Sequence, residues 1–353
     1  MNDKFKFHIV PSRGAMVPED KEEKFSGKQY MYYGEDNQYP LFLSNLLDKS
    51  TTLGTCISGL SDYVYAHGIE DSELGERVIN KNGETFNEVL HKLVIDYISY
   101  GAFCMQVIGN DFGEPLHIYY LDVRKVRLSE DGKKVYFSKK AFGKYSKVDA
   151  VYDRFNGMKM KNAVMYFKRP TSKTFYGRPM WHSSLKSVMT DVEIANYHYS
   201  SIVNNFAPSA IVNFNNGMPS EDIQDEIERK LTDKFAGSEN AARLLVSFND
   251  DKEHATEIER FSEDNFDTKY EALSKNVRDN ILASFRASGA LFGIMPEQTG
   301  FNSVEYQSAY TLYKQTVVVP IQQEIEAAFK KIGINIKFTE FVVDFGDTEE
   351  NVL

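Results

Sequence analysis

Side chains able to do chemistry are sparse in this sequence and poorly spaced for it. Seven histidines are scattered over 353 residues. The closest pair on one expected element, His182 and His198, stands too far apart to share a metal as ligands at i and i+4 of a helix do. The stretch AFGKYSK (141–147) has a Gly-Lys pair but lacks the preceding glycine and the following Ser or Thr of a phosphate loop. DFGD, near the end, has no kinase sequence around it. Both read as chance matches. Cys56 and Cys104 fall in apolar helix or strand settings, where a thiol packs as a small hydrophobe and is no nucleophile. The pairs Asp250/Asp251 and Glu263/Asp264 have the chemistry to hold a divalent ion, but they occupy expected turn or cap positions, where carboxylates are favoured anyway. No catalytic residue, metal site or cofactor site is therefore expected, and the chain reads as something other than an enzyme.

Bulk composition narrows the alternatives. At 42% hydrophobic residues, a chain of this length can build more than one core, and two or three structural regions are expected. Two cysteines are too few for a disulfide framework, and the start MNDKFKFHIV lacks the apolar run of a signal peptide, so a cytosolic protein is expected. No stretch approaches eighteen uninterrupted apolar residues, and mean hydropathy is -0.42, which argues against a membrane span. A net charge of -10 argues against tight wrapping of nucleic acid, whose affinity comes from Lys and Arg neutralising phosphates. It leaves room for DNA that merely passes by.

The elements that would have to position any site follow from periodicity. Residues 1–29 are charged and weakly patterned, as expected of a mobile arm. A turn at Gly34 to Asn37 precedes two short helices with Leu43, Leu46 and Leu47, then Ile57, Leu60, Tyr63 and Val64, at helical spacing. A further helix from Phe86 to Tyr100 ends at Gly101. Residues 102–169 change to a period of two: AFCMQVIG, LHIYYLD, KVRLS, KVYFS and AVMYFKR read as strands, with NDFGEP and SEDGKK as turns. Between them Lys139, Lys140, Phe142, Lys144, Tyr145 and Lys147 interleave cations with aromatics, which suits either a nucleic-acid surface or, as preferred here, a half-exposed strand.

Two rods follow. Trp181, Leu185, Val188, Val192, Ala195, Tyr199, Ile202 and Phe206 recur in steps of four and three without a break, with Pro179 near the start. About 27 residues at 1.5 Å each make roughly 40 Å of helix. Its other face carries Ser183, Lys186, Thr190, Glu193, Tyr197, Ser201 and Asn204, polar with few charges, which suits a channel wall or a plain solvated face. Pro208 stops the rod and SAIVNF is too β-branched to continue it. A module of about fifty residues comes next: a strand at Ala210 to Phe214, a helix with Ile223, Ile227, Leu231 and Phe235, then strands RLLVSF and ATEIERF. A second rod, Asn265 to Arg286, carries Phe266, Tyr270, Leu273, Val277, Ile281 and Phe285. The loop SGALFGIMPEQTGFNS is long and apolar for a surface connection. A third helix from Ser303 places Tyr306, Tyr310, Tyr313, Val317, Ile321, Ile325 and Ala328 on one side, with Pro320 expected to kink it. The strand INIKFTEF and an acidic tail finish the chain.

This order of parts resembles the portal proteins of tailed bacteriophages, in the long-tailed class. The segments YGEDNQYP, YVYAHGI, YGRPMWHSSLKSV, NNFAPSAIV, FAGSENAARLLV and VVVPIQQEIE are similar to segments at corresponding places in that family, and together they span about residues 30 to 330. The resemblance implies an α+β portal fold: a mobile arm (1–29), a helical and β wing (30–178), a first stem helix (179–206), a small αβ clip (207–262), a second stem helix (263–288), a tunnel loop (289–302), a Pro-kinked tunnel helix (303–332) and a C-terminal wing strand with acidic tail (333–353). A crown is expected to be minimal or absent. The implied tunnel loop holds Gly289, Leu291, Phe292, Gly293, Met295, Glu297, Gly300 and Phe301. Burial of this apolar loop against the wing is the competing account. Channel-facing stem residues would be Lys186, Thr190, Glu193, Tyr197, Ser201, Asn204, Lys275 and Arg278. Trp181, Leu185, Val188, Val192, Tyr199 and Ile202 would pack the stem. The family usually has a Val-Pro pair after the second rod, and RASGALFGIMPEQTG stands here instead.

The implied assembly is a homo-oligomeric ring, usually of twelve copies, at the capsid vertex of the virion, assembled in the host cytoplasm. It would be a channel for packaging and ejecting double-stranded DNA without sequence specificity, with terminase large subunit, major capsid and scaffold proteins, and a head-tail adaptor as partners. No membrane and no cofactor is implied, and an ATP-driven motor would be a separate chain. The alternatives are a non-catalytic adaptor or scaffold that forms no ring and, further off, a metal-dependent enzyme.

Overall fold

The computed structural model describes residues 30–143, 146–157, 161–203, 208–214, 223, 226, 243–248, 266–294 and 303–342. The chain divides into two compact units, 1–189 with 278–353, and 190–277. The division cuts through both rods, so they belong in part to each unit.

In the first unit, α1 (Tyr39–Lys49) and α2 (Thr51–Tyr65) meet at Ser50. This residue closes α1 and, with its side chain accepting from Leu53 N at 3.1 Å, caps α2. After a short α3 (Ser72–Glu76), α4 (Phe86–Tyr100) starts on a capping box of Thr85 and Glu88. It ends at Gly101 in the left-handed region, φ 71°. A Cβ on Gly101 would lie 2.0 Å from the Arg178 carbonyl oxygen, and one on Gly177 would lie 2.4 Å from the Gly101 oxygen. Two glycines thus let the start of the first rod pass the end of α4 backbone to backbone.

Six strands form one sheet in the order β2-β1-β6-β5-β4-β3: β1 (Ala102–Gly109), β2 (Pro115–Leu121), β3 (Val126–Leu128), β4 (Lys134–Phe137), β5 (Ala150–Arg154) and β6 (Asn162–Lys168). The hairpins expected at NDFGEP and SEDGKK join β1 to β2 and β3 to β4. Sequence periodicity missed β5 and its parallel pairing with β6. The segment 139–143 and 146–149, expected as a half-exposed strand, is irregular, because Phe142 turns inward to pack on Tyr30 and Tyr136 and leaves the ladder.

The C-terminal helix runs as α7 (Ser303–Tyr313), a π turn (Lys314–Val318) and α8 (Val319–Lys331). Its apolar steps of four residues exceed the 3.6 of an α-helix, and the wider π turn takes up the surplus. Pro320 follows directly on the π turn within this continuous helical run, so its missing N–H falls where the helix has already widened. α8 packs on α2 and α4: Phe329 lies 5.2 Å from Phe86, Tyr97 Oη donates to Glu324 at 2.6 Å, and Gln322 donates to the Val64 carbonyl at 2.8 Å. INIKFTEF, expected as a strand, makes a single antiparallel bridge, Phe338 to Ile69. Its alternation holds, with Ile336 and Phe338 buried and Lys337 out, but its partner is only the short turn after α2.

The first rod opens as a 3₁₀ turn, Met180–Ser184, and only then becomes α5 (Leu185–Val203); the uniform helix expected from Trp181 is shorter. In the second unit β7 (Pro208–Phe214) and β8 (Arg243–Phe248) pair in parallel. Parallel strands need a crossover, which falls in 215–242, where Ile223 and Glu226 are helical. The second rod is α6 (Phe266–Ser284). ATEIERF, the arm 1–29 and the acidic tail lie outside the described residues.

Candidate functional site

Along the first rod, Trp181, Leu185, Val188 and Val192 are buried, as the seam spacing predicts. Tyr199 is not: it is 71% exposed in the single chain. Tyr197, expected on the polar face, is exposed and lies 5.1 Å from the Tyr270 ring of the second rod, and His198 lies 5.0 Å from the same ring. At this level the two rods of the second unit meet through aromatic edges, and the seam residue next to them faces outward. Lys186 and Glu193 are exposed and Thr190 is half-buried. On the second rod Lys275 is exposed, while Arg278 is half-buried and lies 3.6 Å from Asp279. The side chains of Ser201 and Ile202, and all of Asn204, lie outside the described residues.

In the first unit the bases of the rods are tied by Ser184 Oγ to Ser284 Oγ at 3.0 Å. His182 Nδ1 and Tyr39 Oη share a hydrogen bond of 2.7 Å. Burial and the neighbouring Arg178 lower the pKa of His182, and burial raises that of Tyr39, so a neutral imidazole meets a protonated phenol. His182 is thus a structural tie between α1 and the rod.

The segment after the second rod divides in two. Gly289–Phe292 forms a 3₁₀ turn, closed by Ile294 N donating to the Gly289 carbonyl at 2.9 Å, with Gly293 at φ 74°. Leu291 and Phe292 are buried, so these two side chains take the buried alternative and do not project from the loop. Phe292 packs on α2, where a Cβ on Gly59 would meet its ring at 2.5 Å. Its ring is 6.3 Å from Tyr63, 6.4 Å from Phe285 and 6.2 Å from Tyr313. Tyr63 Oη donates to the Leu291 carbonyl at 2.6 Å and lies 3.3 Å from Tyr306 Oη. Burial above all, then the Tyr306 hydroxyl, holds the Tyr63 pKa well above that of a free phenol, so it remains a donor. Arg286, at φ 59°, donates Nη1 to the Thr316 carbonyl at 3.2 Å. Thr316 stands four residues before Pro320, whose ring nitrogen has no hydrogen to offer that carbonyl. Met295, Glu297, Gly300 and Phe301 lie outside the described residues.

Sequence periodicity places Tyr63 on the core face of a helix and gives Gly59 no role. Their role in anchoring residues 289–294 has no local signal, because the partner is more than two hundred residues away.

Asp96 and Asp122 are neighbouring carboxylates of the kind that can divide acid and base roles. Here Arg124 binds Asp122 with two nitrogens, Nε at 3.0 Å and Nη2 at 2.8 Å, while Asp96 accepts from Tyr120 Oη at 3.0 Å and Val123 N at 3.3 Å. Asp96 is buried, which seals the pair from any substrate. Cys56 and Cys104 are both free and buried, and burial raises the Cys104 pKa far above an ordinary thiol's. Among the described residues no three His, Cys, Asp or Glu side chains are grouped to hold a metal, and no helix is long and apolar enough to cross a membrane.

Solved structures share this fold at low identity. A chain of the virion of a native gene transfer agent particle aligns at 15% identity and TM-score 0.54, covering 84% of this chain and 82% of that one. The neck of the native particle, computed with C12 symmetry, aligns at 14% and 0.52 with the same coverage. An HK97 family phage portal protein from Corynebacterium diphtheriae aligns at 13% and 0.51, covering 84% and 94%. Curated proteins offer no match. The family described as Phage portal protein matches residues 77–352, most of the sequence, and the chain belongs to the phage portal protein family.

Proposed function

We propose that the chain is the subunit of a ring that forms the DNA channel at a capsid vertex, serving packaging and ejection and offering a docking platform to terminase and the head-tail connector. The family match over residues 77–352 carries this reading. A ring of twelve is supported by the C12 symmetry with which the similar particle neck was computed.

The parts take roles accordingly. The two rods are the stem, and their exposed apolar side chains Tyr199 and Leu273 are covered by neighbouring copies. Lys186, Thr190, Glu193, Tyr197, Ser201, Asn204, Lys275 and Arg278 belong to the wall past which DNA slides. Phosphates need to slide without sticking, since each tight cationic contact adds counterion-release affinity. On the first rod that set has one Lys against one Glu, a weak field. The β7–β8 module, within 207–262, is the clip on which terminase and adaptor dock. Residues 289–294 are the fixed root of the tunnel loop, and 295–302, with Met295, Glu297, Gly300 and Phe301, are its projecting part. α7 to α8 is the tunnel helix, with its π turn and Pro320 as the place where it can flex. The chain does no catalysis itself, works in the virion after assembly in the host cytoplasm, and meets major capsid and scaffold proteins around its wing.

Native mass spectrometry of the purified full-length chain tests the reading. A closed ring of about ten to fourteen copies is expected. A monomer or dimer at micromolar concentration would favour a non-catalytic adaptor instead.

A further inference from the structure

A cavity of about 760 Å³ opens in the six-stranded sheet where β5 ends. β1 accompanies β6 from Asn162 to Lys168, but β5 pairs with it only at Asp153↔Ala163 and Arg154↔Val164 and then turns away. Met165, Tyr166 and Phe167 therefore border the cavity, with no β5 residue paired to them.

Its charge is one-sided. Among the described residues Lys133, Lys134, Arg154 and Lys331 line it, against the single carboxylate of Asp153, which Lys134 holds at 2.6 Å, while Lys133 lies 3.9 Å from Asp131 in the β3–β4 turn. Arg154 spans the opening, donating to the Gly132 carbonyl at 3.3 Å and the Tyr166 carbonyl at 3.4 Å. The Lys331 ammonium sits 5.3 Å over the Phe167 ring. Among the described residues no carboxylate pairs with Arg154 or Lys331. A strand flank, an aromatic wall and uncompensated cations suit an extended acidic peptide, whose backbone runs along the strand while its carboxylates meet the cations. A DNA duplex offers anions but no chain to lie beside a strand.

This chain carries such a peptide at the right place. Glu19, Asp20, Glu22 and Glu23, interrupted by Lys21 and followed by Lys24 and Phe25, lie in the arm that precedes the described residues. The arm joins the fold where Met31 N donates to the Leu128 carbonyl at 2.8 Å, next to the β3–β4 turn whose Gly132 lines the cavity. Seven to eleven residues separate Tyr30 from Glu23 and Glu19. Extended, they reach roughly 23–36 Å, well beyond the few residues between Leu128 and Gly132. We propose that the acidic segment Glu19–Glu23 docks in this cavity of its own subunit and so fastens the N-terminal arm to the sheet.

The test uses the full-length chain. Chymotrypsin cleaves after Phe25, and its rate at that bond reports docking. Lys133→Glu with Lys331→Glu, both surface positions, is expected to speed that cut about tenfold. Adding Glu19→Lys, Asp20→Lys, Glu22→Lys and Glu23→Lys to the same protein is expected to slow it again. Because Cys56 and Cys104 are buried, a short bismaleimide acting on Glu22→Cys with Lys133→Cys should yield a cross-link within one chain, well above the control pair Glu22→Cys with Glu73→Cys. Equal cleavage rates in all variants would overturn the proposal, as would cross-links only between chains. So would a loss of duplex-oligonucleotide binding in Lys133→Glu/Lys331→Glu with the cleavage rate unchanged. None of these readouts requires a ring.

Discussion

Asp96 ties the stability of this fold to pH. In an unfolded chain an aspartate titrates near 3.9; here burial, with the Asp122 carboxylate beside it, pushes Asp96 up to about 8. The folded state keeps a proton that the unfolded state releases, so the group's stabilisation is full below about pH 4 and is lost as pH rises through about 8. Asp96→Asn imitates the protonated form and can still accept from Tyr120 and Val123. It is expected to raise unfolding free energy by about 1–3 kcal/mol at pH 8 and to change little at pH 4. Urea melts at the two pH values check this, and equal shifts at both would mean that Asp96 is ionised in the fold. Phe292 offers a second test. As a buried ring on α2, its replacement by Ala should cost about 3 kcal/mol in the same melts. An unchanged urea midpoint, with poorer retention of packaged DNA, would instead place the ring in the channel.

At the scale of elements, the π turn 314–318 decides the phase of the C-terminal helix. Tyr313, Val317, Ile321 and Ile325 are all buried although four residues separate each from the next. In a pure α-helix, each such step would drift about 40° around the axis. Deleting Gln315, an exposed residue of the π turn, should convert the turn to α and keep α8 in register with α2 and α4. The expected result is a folded protein with a melting temperature lowered by no more than several degrees, about 1 kcal/mol. Deleting Gln323, an exposed residue within α8, rotates everything after it by about 100° and should prevent folding. Circular dichroism and thermal melts separate the two, and equal damage from both deletions would show that the π turn does not set the phase.

For the whole molecule, the single chain already distinguishes residues that hold the subunit from residues that hold the ring. Val188 and Val192 are buried without any neighbour, so an Asp at either should unfold the subunit as well as the assembly. Tyr199 and Leu273, 71% and 43% exposed, are free to change without that penalty. Tyr199→Asp with Leu273→Asp should leave circular dichroism and the urea midpoint within about 0.5 kcal/mol of wild type and abolish rings in native mass spectra. Intact rings from this variant would remove the stem from the subunit interface.

Much of this protein was legible from local order. Phe86 to Tyr100 reads as a helix because its capping box, apolar face and terminal glycine lie within seventeen residues, Thr85 to Gly101; AFCMQVIG reads as a strand because its period and flanking turns are adjacent. The family resemblance likewise needed only motifs in sequence. What periodicity could not supply depended on partners distant along the chain. β5 is short and alternates weakly, and it becomes a strand because β4 and β6 flank it. INIKFTEF has a strand's pattern but found one bridge, since its neighbour after α2 is a turn. Leu291 and Phe292 look like an exposed apolar loop until Gly59 and Tyr63, on a helix more than two hundred residues earlier, provide a flat surface and a donor. Local propensity and period write the elements into the sequence; which apolar side chain is buried, and which strand gains a neighbour, depends on surfaces that exist only after the chain has folded back on itself.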